Sequence, residues 1–457
     1  MNNLSRTRVR RHVDRRKPAL ALLSLLQFLI AVDVTVVHVA LPSIGADFHT
    51  PTASLSWVVT GYTLVGGGLL LLGGRVTDLL GRRRMFLVGA GLFALASLVA
   101  GLAPDLPTLI AARFAQGAGE ALASPAAMSL IALLFPEPTE RARALGVWGG
   151  ISASGLVVGL LLSGVITELL HWRWIFGVNV PLAALVLLIT PRLVPTDGPR
   201  VRSERLDLPG AALLTAGPLS LVYGVLESNP WAIAAGVVLL LAFVAVEART
   251  RRPLVPLSFL AHRTRAVANA VTVLLSAALS TVFFLLTLYL QDVMGWGPLR
   301  AGVAFLPFCA ALLLAISQTA RLLSVLGTKY TALVGLACTA LGLAWLVRLP
   351  DEGGYAVDVL PGMVGVAAGM GIGLLALQNA ALLGVTEHDA GTAAGVQRSV
   401  DQLGGALGLA VLVGVAVGAS GVDGFRTAFL WALIGVITAA VGLVLATREE
   451  EPARAVR

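Results

Sequence analysis

The chain has 457 residues, 57% of them hydrophobic and only 13% charged, with 50 glycines and a net charge of +8. A water-soluble domain carries roughly a quarter of its residues as charges, so lipid is the solvent around most of this chain. The basic excess does not form a nucleic-acid surface, because it falls in short clusters between apolar runs. The two cysteines, Cys309 and Cys338, lie inside such runs and signal neither a disulfide framework nor a metal site.

In lipid the backbone must satisfy its own hydrogen bonds, as helices or as a closed barrel. The apolar runs lack strand-like alternation, which leaves helices, each needing about 20 residues to cross about 30 Å of hydrocarbon. The chain opens with MNNLSRTRVRRHVDRRKP, which resembles the basic region of a secretory signal. The run that follows is too long for one, contains Asp33 and lacks a small-residue cleavage site, so it reads as an uncleaved first span. Apolar runs then fall at 19–42, 55–74, 84–103, 107–135, 143–167, 174–194, 207–226, 230–248, 266–290, 299–322, 329–349, 357–384, 391–418 and 424–447, fourteen in all. With the N-terminus inside, inner segments hold twenty-seven of the 33 Lys and Arg residues, and outer loops hold only Arg173, Arg300, Arg348 and Arg426. That asymmetry is the positive-inside pattern and places both termini in the cytoplasm. Trp57, Trp172, Trp174, Trp231 and Trp296 fall near the predicted outer interface, where amphipathic rings anchor helices.

A weak internal repeat organises these spans. GRVTDLLGRRRMFLVG (74–89) and ARLLSVLGTKYTALVG (320–335) align without gaps at a shift of 246, matching Gly81 with Gly327 and Gly89 with Gly335. The shift maps the first six spans onto the last six and leaves a central pair over, the plan of a transporter with two parallel halves. The expected organisation is therefore all-α: a basic cytoplasmic tail (1–18), a six-helix half (19–194), a cytoplasmic linker (195–206), an inserted pair (207–248), a second linker (249–265), a second six-helix half (266–447) and a cytoplasmic tail (448–457). The inserted pair has few polar residues beyond Tyr223 and Glu227 and reads as peripheral and lipid-facing.

Four motifs stand in order along the chain. VDVTVVHVALP occupies 32–42; Gly74, Asp78, Gly81, Arg82 and Arg83 fit G-x-x-x-D-x-x-G-R-[KR]; Arg113, Gln116, Gly117 and Gly119 fit R-x-x-Q-G-x-G; and WRWIFGVNVP runs from Trp172 to Pro181. In these the chain resembles the fourteen-span drug:proton antiporters of the major facilitator superfamily, over nearly its whole length. The resemblance implies a major facilitator fold and export of drugs or secondary metabolites by alternating access, driven by protons and without a cofactor. It also implies a latch at Gly74, Asp78, Gly81, Arg82 and Arg83 that holds the cytoplasmic side closed; a solvated turn is the alternative, and the arginines are equally suited to anionic lipid headgroups. Two departures stand out. Leu79 follows Asp78 where arginine is common, and the fifth-span motif, usually ending G-P-x-x-G-G, reads Gly159-Leu160-Leu161-Leu162-Ser163-Gly164 without its proline.

Ionisable residues inside lipid are functional candidates because each costs at least about 2.5–3.5 kcal/mol at a helix centre. Asp33 in the first span and Arg113 in the fourth sit at similar depth in the outer half. Burial favours a neutral carboxyl and a nearby guanidinium favours an ionised one, so a pair whose separation changes between states couples to protons, whereas a fixed pair only locks two helices. Arg113, Gln116, Glu120 and Ser124 share one helix stripe. Glu120 lies near the midplane, where three roles suit it: holding a cationic substrate, carrying the proton, or hydrogen-bonding a neighbouring helix as a neutral acid. Gln378 and Asn379 are amides in an apolar span, suited to lining the substrate cavity or to joining helices. Gly155, Gly159 and Gly164 suit an outward-gate hinge or plain tight packing. Asp401 reads as neutralised by Arg398 three residues earlier.

The leading expectation is thus a monomeric, multi-pass plasma-membrane exporter whose partners are a small amphipathic substrate, protons and lipid, with no nucleic acid. Transport of a lipid or a specific metabolite on the same fold is the alternative. A membrane-embedded enzyme fits poorly, since the six histidines are scattered without metal spacing, and no G-x-x-x-x-G-K-[ST] loop is present for ATP.

Overall fold

The computed structural model describes residues 2–194, 206–250, 253–385, 390–418 and 421–446. The tail 448–457 and all but the last residue of the linker 195–206 lie outside the described residues, as do the side chains of the tail residues 1–15. Among the described residues thirteen helices are long and apolar enough to cross a membrane: α1 (Arg16–Phe48), α2 (Ala53–Leu80), α3 (Arg82–Gly101), α4 (Leu106–Leu134), α5 (Pro138–Leu169), α6 (Trp174–Leu193), α7 (Leu208–Leu226), α8 (Pro230–Arg249), α9 (Arg263–Val293), α10 (Pro298–Leu346), α11 (Tyr355–Leu382), α12 (Gly391–Val417) and α13 (Val422–Ala446). The count differs from the fourteen predicted runs at α10. Its 49 residues are about twice the length one crossing needs, and they cover the runs at 299–322 and 329–349.

The join inside α10 is at Gly327, whose backbone has φ 75° and ψ 172°. Its partner in the repeat, Gly81, ends α2 with φ 104° and ψ 134°. Side chains other than hydrogen strain at such angles, so the two glycines mark equivalent turns in the two halves. Helix starts follow an equally local rule. Asp105-Leu106-Pro107 and Asp207-Leu208-Pro209 each place an acceptor before a proline, and the carboxylates take the amides of Thr108 (2.8 Å) and Gly210 (2.9 Å). Those contacts with Thr108 hold the Asp105 carboxyl below its ordinary range.

Helices pack closely where glycine removes a side chain, as lipid-embedded helices must when no hydrophobic drive brings them together. A β-carbon at Gly89 on α3 would lie 2.7 Å from the carbonyl oxygen of Gly119 on α4, and one at Gly335 would lie 2.4 Å from the amide of Gly373 on α11. The same pairing thus recurs in both halves. Leu95, Leu102, Val238 and Leu445 are among the large apolar side chains left exposed, which suits a lipid-facing rim.

The seam between the halves is closed at the end opposite the Arg82–Arg84 cluster. Gln291 of α9 donates to the Val39 carbonyl of α1 (2.8 Å), and the Leu299 amide donates to Glu168 at the end of α5 (2.8 Å). Of the inserted pair, α8 is peripheral as expected, exposing Val237, Val238, Leu241 and Val244. α7 is not: it packs on both α2 and α12, one helix from each half, with Thr215 against Gly68.

Candidate functional site

Five helices converge on Asp33, which is fully buried on α1. Arg113 of α4 donates through Nη1 to Oδ2, while Gln116 Nε2 (2.9 Å) and Asn179 Nδ2 (2.8 Å) of α6 donate to Oδ1. An acceptor surrounded only by donors has the pattern of an ionised carboxylate. Arg113 is itself held in place. Its Nε donates to the Val58 carbonyl of α2 (2.8 Å), its Nη1 to Gln116 Oε1 (2.9 Å), and its guanidinium lies 4.4 Å from the centre of the Tyr62 ring. Gln116 also donates to Ser97 of α3 (2.9 Å). The helical stripe explains the convergence: residues three, four and seven apart share a face, so Arg113 and Gln116 meet one carboxylate together.

Further along the stripe, Ser124 donates to Gln27 of α1 (2.7 Å), but Glu120 turns to the other half. Its Oε1 accepts from Gln402 Nε2 on α12 (3.0 Å) and lies 3.8 Å from the Arg398 guanidinium. Glu120 is 1% exposed, and its Oε2, the Gln402 Oε1 and the Tyr62 hydroxyl have no hydrogen-bond partner. Two of these atoms converge beside Gly66, where a β-carbon would lie 3.2 Å from Gln402 Oε1 and 3.3 Å from Glu120 Oε2. Unsatisfied buried acceptors are costly. A donor arriving here, whether a proton or a cation, relieves that cost.

Asp33, Arg113 and Gln116 are therefore gathered into one cluster, with Glu120 beside it on the seam. Other candidates stand apart. Gln378 and Asn379 are exposed on α11, and Asn379 turns back to the Leu375 carbonyl of its own helix (3.5 Å). Asp78 is exposed and 3.9 Å from Arg82 on the next turn. Arg83 reaches the Pro191 carbonyl (3.2 Å). Gly81 is the turn already described, whereas a β-carbon at Gly74 would meet Pro125 only at 3.9 Å. The close approach on this helix is made instead by its neighbour Gly73, 1.9 Å from the Ala121 carbonyl oxygen by the same measure. Gly155 and Gly159 press on α1, with Thr35 Oγ1 2.0 Å from a β-carbon at Gly159; Gly164 presses on Pro298 across the seam. Arg398 does not turn to Asp401 as its spacing suggests: Asp401 accepts from Ser276 (2.5 Å), and Arg398 reaches Glu120. The sequence reading missed Asn179, Tyr62 and Gln402. Asn179 had a signal, as the asparagine of WRWIFGVNVP.

Two helical halves of membrane-spanning length, closed together at one end, have the architecture of a transporter. Residues 23–409 match the Major Facilitator Superfamily, and the chain belongs to that family. It is 50% identical over 437 residues to the lincomycin resistance protein of Streptomyces lincolnensis, covering 93% of this chain and 90% of the relative. It is also similar to the puromycin resistance protein of Streptomyces alboniger (43% identity, 86% and 80% covered) and to the cephamycin export protein of Amycolatopsis lactamdurans (39%, 87% and 84%). In fold it resembles a mutant of the nucleoside transporter NupG, with a TM-score of 0.70, 12% identity and 95% and 100% of the two chains covered.

Proposed function

We propose that this protein exports amphipathic antibiotics from the cytoplasm in exchange for protons, with Asp33 and Arg113 as the coupling pair and Glu120 as the anionic wall of the cargo site. The observation that carries this reading is the buried Asp33–Arg113 pair, held from α2, α4 and α6. The names of three relatives, tied to lincomycin, puromycin and cephamycin, support a cargo of that size and character. The Arg82–Arg84 end faces the cytoplasm by the positive-inside rule, and both termini with it, in a monomer of the plasma membrane. The seam contacts at the opposite end then describe a chain closed to the outside.

In this arrangement Asp33 has given its proton to the cytoplasm and is held by Arg113. Turning outward separates the two, and a carboxylate without its guanidinium takes a proton from outside. Each pKa unit of difference between the states is about 1.4 kcal/mol of coupling. The energy source is the proton gradient alone, and no cofactor takes part. The test is lincomycin efflux from proteoliposomes under an imposed pH gradient. Asp33→Asn abolishes gradient-driven efflux while lincomycin binding persists, and Glu120→Gln weakens binding. Gradient-driven efflux unchanged by Asp33→Asn sinks the coupling assignment.

A further inference from the structure

The inserted helices carry a second pair of buried acids at the end that holds Arg82–Arg84. Asp207, at the start of α7, is 7% exposed, and Glu247, near the end of α8, is 2% exposed. Each has one oxygen conventionally satisfied. Asp207 Oδ1 accepts from the Gly210 amide (2.9 Å), and Glu247 Oε2 accepts from the Val255 amide (3.1 Å), in the connection leading to the second half. The remaining oxygens, Asp207 Oδ2 and Glu247 Oε1, have no donor. They lie together beside Gly210, 2.6 Å and 2.7 Å from where its β-carbon would stand, so the two unpartnered oxygens face the same small space. Two ionised carboxylates so placed can only accept, and their charges repel.

We propose that Asp207 and Glu247 share one proton, and that this acid–carboxylate pair ties the α7–α8 hairpin to the connection at Val255. With the proton in place, one carboxyl donates to the other and the pair carries a single charge. Without it, two negative charges face each other in an apolar setting built from Ala211, Phe243, Leu254, Phe259 and Val396. Among the described residues no cation stands ready to replace the proton. Arg75 of α2 donates to the Pro253 carbonyl (3.2 Å), and Arg249 is exposed beyond Glu247. Arg265 of α9 is engaged with the Leu383 carbonyl (3.0 Å) and the Phe259 ring, and α12 presents Ala393 and Val396. Among the described residues no group of three or more His, Cys, Asp or Glu side chains stands there to hold a metal ion.

The pair bears on transport because α7 touches both α2 and α12. Releasing the connection loosens the element that bridges the seam at the cytoplasmic end. The inference stands on the inserted helices alone and does not depend on Asp33.

Amide exchange of residues 253–259, corrected for the intrinsic pH dependence and measured on the full chain in lipid nanodiscs, tests it. In the wild type, protection falls at least about tenfold between about pH 6 and about pH 9, the change that one pH unit beyond the titration produces, while the α2 peptides keep theirs. Glu247→Gln supplies its own N–H to Asp207 and keeps an oxygen for Val255, so protection stays high and flat with pH. Asp207→Asn, which preserves the helix cap, gives the same flat profile if the first variant fails to fold. Wild-type protection that does not change with pH overturns the proposal. So does a fall that survives in either folded variant.

Discussion

Gln402 of α12 donates to Glu120 of α4 across the seam at 3.0 Å, so the acid of one half is capped by the amide of the other. Arg398 approaches the same oxygen at 3.8 Å and is half exposed, which makes it a stand-in for a cationic cargo. Partly exposed ion pairs contribute up to about 1 kcal/mol. Arg398→Gln therefore tightens binding of a cationic cargo up to about fivefold and leaves a neutral cargo unchanged, as read by titration calorimetry on the purified protein.

Asn179 gives Asp33 one of its three side-chain donors. Asn179→Leu removes it inside a buried network, at a cost of about 1–3 kcal/mol, seen as a lower unfolding temperature in detergent. Asn179→Asp is worse, because it sets a second carboxylate against the first. Gradient-driven efflux falls in both.

Gly159 and Gly164 lie on one helix but answer differently to a methyl group. At Gly159 the methyl would stand 2.0 Å from Thr35 within the first half, and at Gly164 it would stand 2.8 Å from the Pro298 carbonyl of the second. Gly159→Ala lowers stability by about 1–3 kcal/mol through overpacking. Gly164→Ala instead pushes the halves apart at the outer end. Distances between spin labels on the outer ends of α5 and α10 lengthen in the second variant and not in the first.

Gly81→Ala and Gly327→Ala each place a side chain on a backbone with positive φ, costing about 1–2 kcal/mol. The losses in thermal stability are similar in size, since the turns are equivalent. Alanine at Gly74, where the nearest atom is 3.9 Å away, costs little.

The membrane class, the helical runs and the repeat were legible because they rest on long-range averages of apolarity and charge, to which no single residue is critical. The turn at Gly327 was visible only as one match within the repeat, and nothing in composition foretold that α10 would run on through it. At the site, the stripe Arg113–Gln116–Glu120 followed from helical periodicity and placed three groups correctly on one face. What periodicity cannot give is the partner across a seam. Arg398 sits three residues from Asp401 on a helix, yet Ser276 satisfies that acid and frees the arginine for Glu120. Gln378 and Asn379 stand out in the sequence because amides in an apolar run are unusual, and both are exposed near the end of α11.

Tyr62 lays its ring under Arg113 at 4.4 Å, and its buried, unpartnered hydroxyl lies within the electrostatic reach of Glu120. The proposed coupling pair and the proposed cargo wall thus share one side chain. On the proposed mechanism, a lineage acquiring resistance to a new compound cannot remodel this side of the cavity without disturbing the Asp33–Arg113 pair as well. Its freedom to broaden the range of compounds lies on the opposite wall, at α12 around Gln402, where changes leave the Asp33 network intact.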